Sequence, residues 1–252
     1  LGLRGLQVVA LALIIGTLCF FMVRALPGDL AMRVAASRYG LDLVSGAAAD
    51  TVRAELGLDQ SAWQGLLGWW RDMATLNLGQ SLITQRPVWV DVGHHLGATL
   101  RLSAAALAVA LTVGLPLGLW AGLRPGSWAL AVVLRGTPPF LLSVLLMLLV
   151  AVQWGALPVA GDDDSASLVL PALALGLGLG AGLARVTRSA MQEVAQSPAF
   201  EFARTKGLTD LQAMLRHGLR AAAVPVVAYL GVQTLFLVEG ALVVETLFAW
   251  PG

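Results

Sequence analysis

The sequence predicts an all-α polytopic membrane protein: five apolar spans, a large polar region after the first, and a charged helical hairpin before the last. Three observations carry that prediction. Of 252 residues, 58% are hydrophobic and only 12% are charged, whereas a soluble domain carries about a quarter charged residues. Several apolar runs reach the roughly 18 residues that a hydrocarbon core demands. Helix start and stop signals frame the stretches between those runs.

The first run, Leu6 to Val23, lies between Arg4 and Arg24 and covers about 27 Å as a helix. A cleaved signal peptide has an apolar region of about 7–15 residues and a small-residue cleavage site. This run is longer and ends in Val23-Arg24-Ala25-Leu26-Pro27, which favours an uncleaved span. Residues 24–98 mix arginines with aspartates and glutamates and contain no further span before Leu100. Within them, Ala47 to Leu56 reads as a short helix stopped by Gly57. Ser61 reads as the N-cap of an amphipathic helix through Leu76. Trp69 and Trp70 on that helix suit either a membrane interface or ordinary packing.

The second span is Leu100 to Leu123, with Pro116 inside it. The third, Ala129 to Trp154, is interrupted by Arg135, Pro138 and Pro139, a break tolerated where backbone lines a cavity or packs on protein. The fourth, Leu168 to Ala184, carries Gly176, Gly178, Gly180 and Gly182, a stripe that permits close helix packing. The fifth is Val224 to Phe248. Between the last two spans, residues 185–220 hold six bases against three acids, a net of +3, while Asp162, Asp163 and Asp164 lie between the third and fourth. The positive-inside rule makes 185–220 cytoplasmic, and alternation then puts the N-terminus inside and residues 24–98 outside.

The 185–220 stretch is itself patterned. Ser197-Pro198 is a helix start, with serine at the N-cap and proline at the first helical position. That helix ends at Gly207. Thr209 and Gln212 have capping-box spacing and open a second helix toward Ala222. Such a hairpin either docks on a soluble partner or serves as a solvated connector.

Composition excludes several functions. Disorder is incompatible with the apolar content, and a net charge of +1 without a basic block disfavours nucleic acid. Cys19 is the one cysteine, so neither a disulfide framework nor a cysteine metal cluster is expected. His94 and His95 point about 100° apart on a helix and read as interfacial residues, not metal ligands. Lys206 is the one lysine and has no glycine-rich lead, so no P-loop is expected. An ion-driven secondary transporter fits the composition, but no internal repeat is seen. An intramembrane enzyme would need a nucleophile–histidine pair or an H-E-x-x-H motif.

The hairpin segment Glu201-Phe202-Ala203-Arg204-Thr205-Lys206-Gly207 resembles the E-A-A-x-x-x-G signature of binding-protein-dependent ABC importer permeases. Its continuation, Leu208 and then His217-Gly218-Leu219-Arg220 and Pro225, resembles the dipeptide/oligopeptide/nickel branch. Further motifs follow in family order: Arg24-Ala25-Leu26-Pro27-Gly28-Asp29, Leu56-Gly57-Leu58-Asp59-Gln60, Leu78-Gly79-Gln80-Ser81, Arg86-Pro87-Val88, Ala98-Thr99-Leu100, and Val244-Glu245-Thr246-Leu247-Phe248-Ala249-Trp250-Pro251-Gly252. Gly97 stands for a usual proline, Ala221 for a usual asparagine, and the 124–139 stretch is several residues short. The family continues past W-P-G into a sixth helix, so the chain is expected to be a fragment or to lack that helix.

The resemblance implies a single transmembrane permease domain over 1–252, with 24–98 an external subdomain and 185–220 the cytoplasmic coupling loop. It implies a multi-pass permease of the bacterial inner membrane that forms half of a pathway for peptides or for nickel or other metal-chelate solutes. Its partners would be a second permease subunit, two nucleotide-binding subunits that hold the ATP and magnesium, and an extracytoplasmic solute-binding protein. This chain itself would be no enzyme and would hold no cofactor or metal. The implied coupling residues are Glu201, Phe202, Ala203, Arg204, Lys206, Gly207 and Leu208. Glu239, Glu245 and Arg135 are candidate pathway or intersubunit residues, because charges in spans usually face a cavity or a partner.

Overall fold

The computed structural model describes residues 2–40, 45–123, 136–162, 164–213, 216 and 218–252, with the backbone alone at 123, 210 and 211. These residues are helical apart from turns and one isolated β-bridge between Gln80 and Pro87. Among the described residues, four helices are long and apolar enough to cross a membrane, and a fifth apolar helix is shorter. The chain forms two compact units, Leu1–Val92 and Gly93–Gly252.

In the first unit, α1 (Gly2–Ala25) carries its apolar residues on all sides and buries none of them, the pattern of a helix solvated by lipid. Asp29 then caps α2 (Leu30–Tyr39), its carboxylate accepting from the Ala31 amide at 3.0 Å. Ser45 caps α3 (Gly46–Glu55). The two helices pack through Ala31, Val34, Ala35, Ala49 and Val52. Arg53 pairs with both Asp29 and, at 2.8 Å, Asp50. Arg38 donates to Glu55 at 2.6 Å and to the Leu82 carbonyl at 2.7 Å. The Glu55 hydrogen bond raises the Arg38 pKa above the usual arginine value, so this link persists wherever Glu55 is ionised.

Gly57, at φ +57°, turns the chain toward α4 (Ala62–Ala74). Ser61 caps α4 as the sequence predicts, accepting from the Gln64 amide at 3.4 Å. α4 runs antiparallel to α1: Trp70 Nε1 donates to Thr17 Oγ1 at 3.2 Å, and the Trp63 ring meets Phe21 edge-on at 6.2 Å. Gly16 faces the Trp69 ring, where a Cβ would collide with it.

In the second unit, residues from Gly93 continue helix α5 (Val88–Leu123). Next come α6 (Pro139–Leu146), a wider π-helical stretch Met147–Gln153, a 3-10 turn Ser165–Leu168, and α7 (Val169–Ala195). The chain closes with α8 (Pro198–Thr205), α9 (Asp210–Ala213) and α10 (Leu219–Leu247). Helix α7 is the core, burying fifteen residues from Leu170 to Met191. Its small residues let α5 approach closely. A Cβ on Gly114 would lie 2.5 Å from the Gly180 carbonyl oxygen, and one on Gly118 would lie 2.6 Å from Thr187 Cβ. One on Gly176 would lie 2.6 Å from Val109 Cβ.

The helices outrun the spans predicted from hydropathy. α5 starts at Val88 instead of Leu100, α7 continues past Arg185 and Arg188 to Ala195, and α10 starts at Leu219 instead of Val224. Main-chain hydrogen bonding continues regardless of side-chain polarity, so hydropathy marks the lipid boundary and not the helix end. α2 is an element that hydropathy does not announce. For the third span, 129–135 lie outside the described residues. The described part starts where the prolines break the run, with Pro139 as the first helical residue. Pro139 to Gln153 covers roughly 22 Å at helical rise, less than a hydrocarbon core.

Candidate functional site

The predicted hairpin is present, and its first helix is closed at both ends by the residues that the sequence marks. Ser197 Oγ accepts from the Phe200 amide at 3.4 Å, with Pro198 in the first helical position. At the other end Gly207 takes φ +85°. The Gly207 amide donates to the Arg204 carbonyl at 2.9 Å, and the Leu208 amide donates to the Ala203 carbonyl at 3.3 Å. These two bonds form a Schellman closure, which needs a left-handed residue where Gly207 stands. Thr209 and Gln212 then bond reciprocally: the Gln212 amide to Thr209 Oγ1 at 3.3 Å, and the Thr209 amide to Gln212 Oε1 at 3.1 Å. That is the capping box the spacing predicts. Of the helix it opens, Asp210–Ala213 is described; 214, 215 and 217 lie outside the described residues.

Helix α8 has two faces. Phe200 and Ala203 are buried against Ala190, Met191, Ala213 and Ala222, with Leu119 and Leu208 around them. Glu201, Phe202, Arg204, Lys206 and Gly207 are exposed. Phe202 is 61% exposed, and the Lys206 ammonium stands 4.4 Å from its ring centroid. A large aromatic, a cation and a glycine thus lie together on the exposed side of a helix packed from behind. A groove of about 470 Å³ runs along the foot of α8 toward the start of α10, lined by Glu193, Ser197, Phe200, Val224 and Pro225 among others.

The charges predicted for the spans separate. Glu239 is exposed on α10. Next to it, Gly240 with Gln233 and Leu237 borders a cavity of about 270 Å³ closed by Pro139, Leu175 and Gly178. Gln233 Nε2 donates to the Tyr229 hydroxyl at 3.2 Å. Arg135 lies outside the described residues. Glu245, which the sequence groups with Glu239, is only 5% exposed and turns inward to accept from the Thr99 hydroxyl at 2.7 Å. Its carbonyl also accepts the Trp250 amide at 2.8 Å, closing α10 through Ala249 at φ +49°. Trp250 Nε1 donates to the Ala98 carbonyl at 3.1 Å, and the Arg101 guanidinium lies 5.8 Å from the indole centroid. His95 Nδ1 lies 3.0 Å from the Pro251 carbonyl oxygen. The V-E-x-x-F-x-W-P-G stretch thus fastens the end of α10 to the beginning of the second unit's α5. No sequence signal links Thr99 to a glutamate 146 residues away. Among the described residues no three histidine, cysteine or acidic side chains are placed to hold a metal.

Residues 114–252 match the family described as binding-protein-dependent transport system inner membrane component, more than half of the chain. Over its length the chain is similar to the glutathione transport system permease protein GsiC of several bacteria. It is 34% identical to that of Pectobacterium atrosepticum over 255 residues, covering 99% of this chain and 82% of the relative. With the Escherichia coli strain CFT073 protein it shares 32% over 255 residues, and with that of Salmonella paratyphi A 33% over 258, at the same coverage.

Proposed function

The chain belongs to the binding-protein-dependent transport system inner membrane components, as a multi-pass permease subunit of an ABC importer, and from that premise we propose how it works. The hairpin around α8 receives the stroke of separate nucleotide-binding subunits, and the solute is a short peptide. The exposed face of α8 carries this reading: Glu201, Phe202, Lys206 and Gly207 stand out on a helix whose back, Phe200 and Ala203, is packed into the second unit. A displacement imposed on that face is passed to α7 and α10 through the same contacts. Two such subunits hydrolyse ATP with its magnesium, a second permease completes the pathway, and an extracytoplasmic binding protein delivers solute. The net +3 of residues 185–220 supports a cytoplasmic hairpin and N-terminus. Peptide is preferred over a nickel or metal-chelate solute because the relatives are glutathione permeases.

Gly207 supplies the test. A Cβ there meets no atom of this chain within 4 Å, but a tryptophan strains the φ +85° turn and covers the docking face. In the assembled importer reconstituted in liposomes, Gly207→Trp should abolish solute-stimulated ATP hydrolysis and uptake. Gly207→Asn, which tolerates the left-handed turn, should retain much of both. Normal coupling in an assembled Gly207→Trp complex refutes the assignment.

Glu239 is read as a contact for solute or for the partner permease, since an exposed carboxylate on a span must face polar company. Glu239→Gln should change solute selectivity or subunit association. Unchanged transport and assembly would remove both roles.

A further inference from the structure

We infer that the groove between α1 and α4 is a phospholipid site that holds one acyl chain along its apolar floor and the lipid phosphate at Arg24. The site lies within the first unit and does not depend on the transport reading. Its cavity measures about 470 Å³, inside the range of roughly 300–1,000 Å³ typical of small-molecule sites. Gly16, Cys19, Phe20 and Val23 of α1 form one wall, Trp69 of α4 another, and Leu56 lies among the apolar residues that complete it. Arg24 is the one charged residue in the lining.

Three observations select the occupant. First, α1 is apolar on all sides and long enough to cross a membrane, so a groove along it lies in the bilayer. Gly16 lies eight residues before Arg24, about 12 Å deeper along the helix. The groove therefore runs from the level of Arg24 into the hydrocarbon, where an apolar cavity takes up a chain and not water. Second, the groove is held open by the way the helices cross. They touch where Gly16 meets Trp69 and where Gly65 meets Phe20 and Arg24. A Cβ on Gly65 would lie 3.0 Å from Arg24 Nη2 and 3.3 Å from Phe20 Cζ. Third, the guanidinium is preset. It lies 4.9 Å from the Phe20 ring centroid and across the bare backbone of Gly65, and no carboxylate pairs with it among the described residues. A guanidinium fixed on a ring, with its fork free, matches a phosphate. One apolar groove with one such cation in its lining has the chemistry of a single phospholipid and not of a soluble peptide.

The experiment is native mass spectrometry of the assembled importer, stripped of lipid in detergent and titrated with palmitoyl-oleoyl phosphatidylglycerol. One lipid should bind well above the background of annular adducts. Arg24→Gln should weaken it about tenfold, the loss expected for one hydrogen bond to a charged group. Arg24→Lys should fall between. Cys19→Trp should exclude the chain by filling the groove. A second readout keeps the wild-type protein: modification of Cys19 by a small maleimide, followed on its own peptide, should slow when lipid is restored. Equal lipid binding by the wild type and every variant overturns the site, as does an unchanged Cys19 rate. Displacement by inorganic phosphate as effective as by lipid would make it a plain anion site, and a peptide recovered there instead of lipid would also refute the inference.

Discussion

Gly118→Ala tests the contact between α5 and α7. Alanine in a helix is favoured over glycine by about 1 kcal/mol, so without a neighbour the change should stabilise. At Gly118 there are neighbours: the new Cβ would lie 2.6 Å from Thr187 Cβ, 2.7 Å from the Ala184 carbonyl oxygen and 3.0 Å from Ala184 Cα. Ordinary carbon contacts are about 3.5–4.0 Å, and two of these three atoms are backbone, so the helices must part by roughly 1 Å. Overpacking of this kind costs about 1–3 kcal/mol, and a radial gap of that size also forfeits a quarter to a half of the dispersion along the seam. The net expectation is a loss of about 1–2 kcal/mol, or a Tm lower by roughly 2–8 °C in a protein of this size. Gly178→Ala on α7 is the internal control. Nothing lies within 4 Å of its Cβ position, so its Tm should hold or rise. Scanning fluorimetry of the importer in detergent reads both. An unchanged Gly118→Ala protein, or an equal fall in Gly178→Ala, would refute the close-packing argument.

Other substitutions probe different links. Thr187→Val should raise thermal stability by about 1 kcal/mol, because the buried Thr187 hydroxyl has no hydrogen-bond partner among the described residues; a lower Tm would show that the hydroxyl is satisfied. Ser197→Ala removes the cap of α8 and should cost about 1 kcal/mol, with faster amide exchange at residues 199–202 as the readout. Glu245→Ala strands the buried Thr99 hydroxyl and should cost about 1–3 kcal/mol, while Glu245→Gln keeps an acceptor and should lose less. Equal losses in that pair would mean that the hydrogen bond contributes nothing.

Local signals in the sequence proved readable, and distant ones did not. Ser61, Ser197, the Thr209/Gln212 box, Gly57 and Gly207 each act within a turn of their own position, so the chain displays them without folding. Asp29 caps α2 by the same local rule, yet it sits inside a stretch whose mixed charge hides the helix. The starts of α5 and α10 and the end of α7 escaped because hydropathy follows the medium and hydrogen bonding does not. The α8 face was legible in its residues, but which of them point outward depended on Ala190, Met191 and Ala222, contributed by other helices. Glu239 and Glu245 look alike in sequence. Only Thr99, brought from α5, separates an inward carboxylate from an exposed one.

The fastening of Glu245, Trp250 and Pro251 onto Thr99, Ala98 and His95 has a mechanical consequence. It fixes a fulcrum. α10 is 29 residues long, a lever of about 43 Å at helical rise. With one end pinned, a tilt of about 5° at the pin sweeps the far end by nearly 4 Å over that length. The far end is where Ala222 touches α8. A small push at the hairpin is therefore geared down along α10, its travel shrinking toward the Glu245 pin, and the apolar cavity beside Gln233 and Gly240 sits partway along the arm.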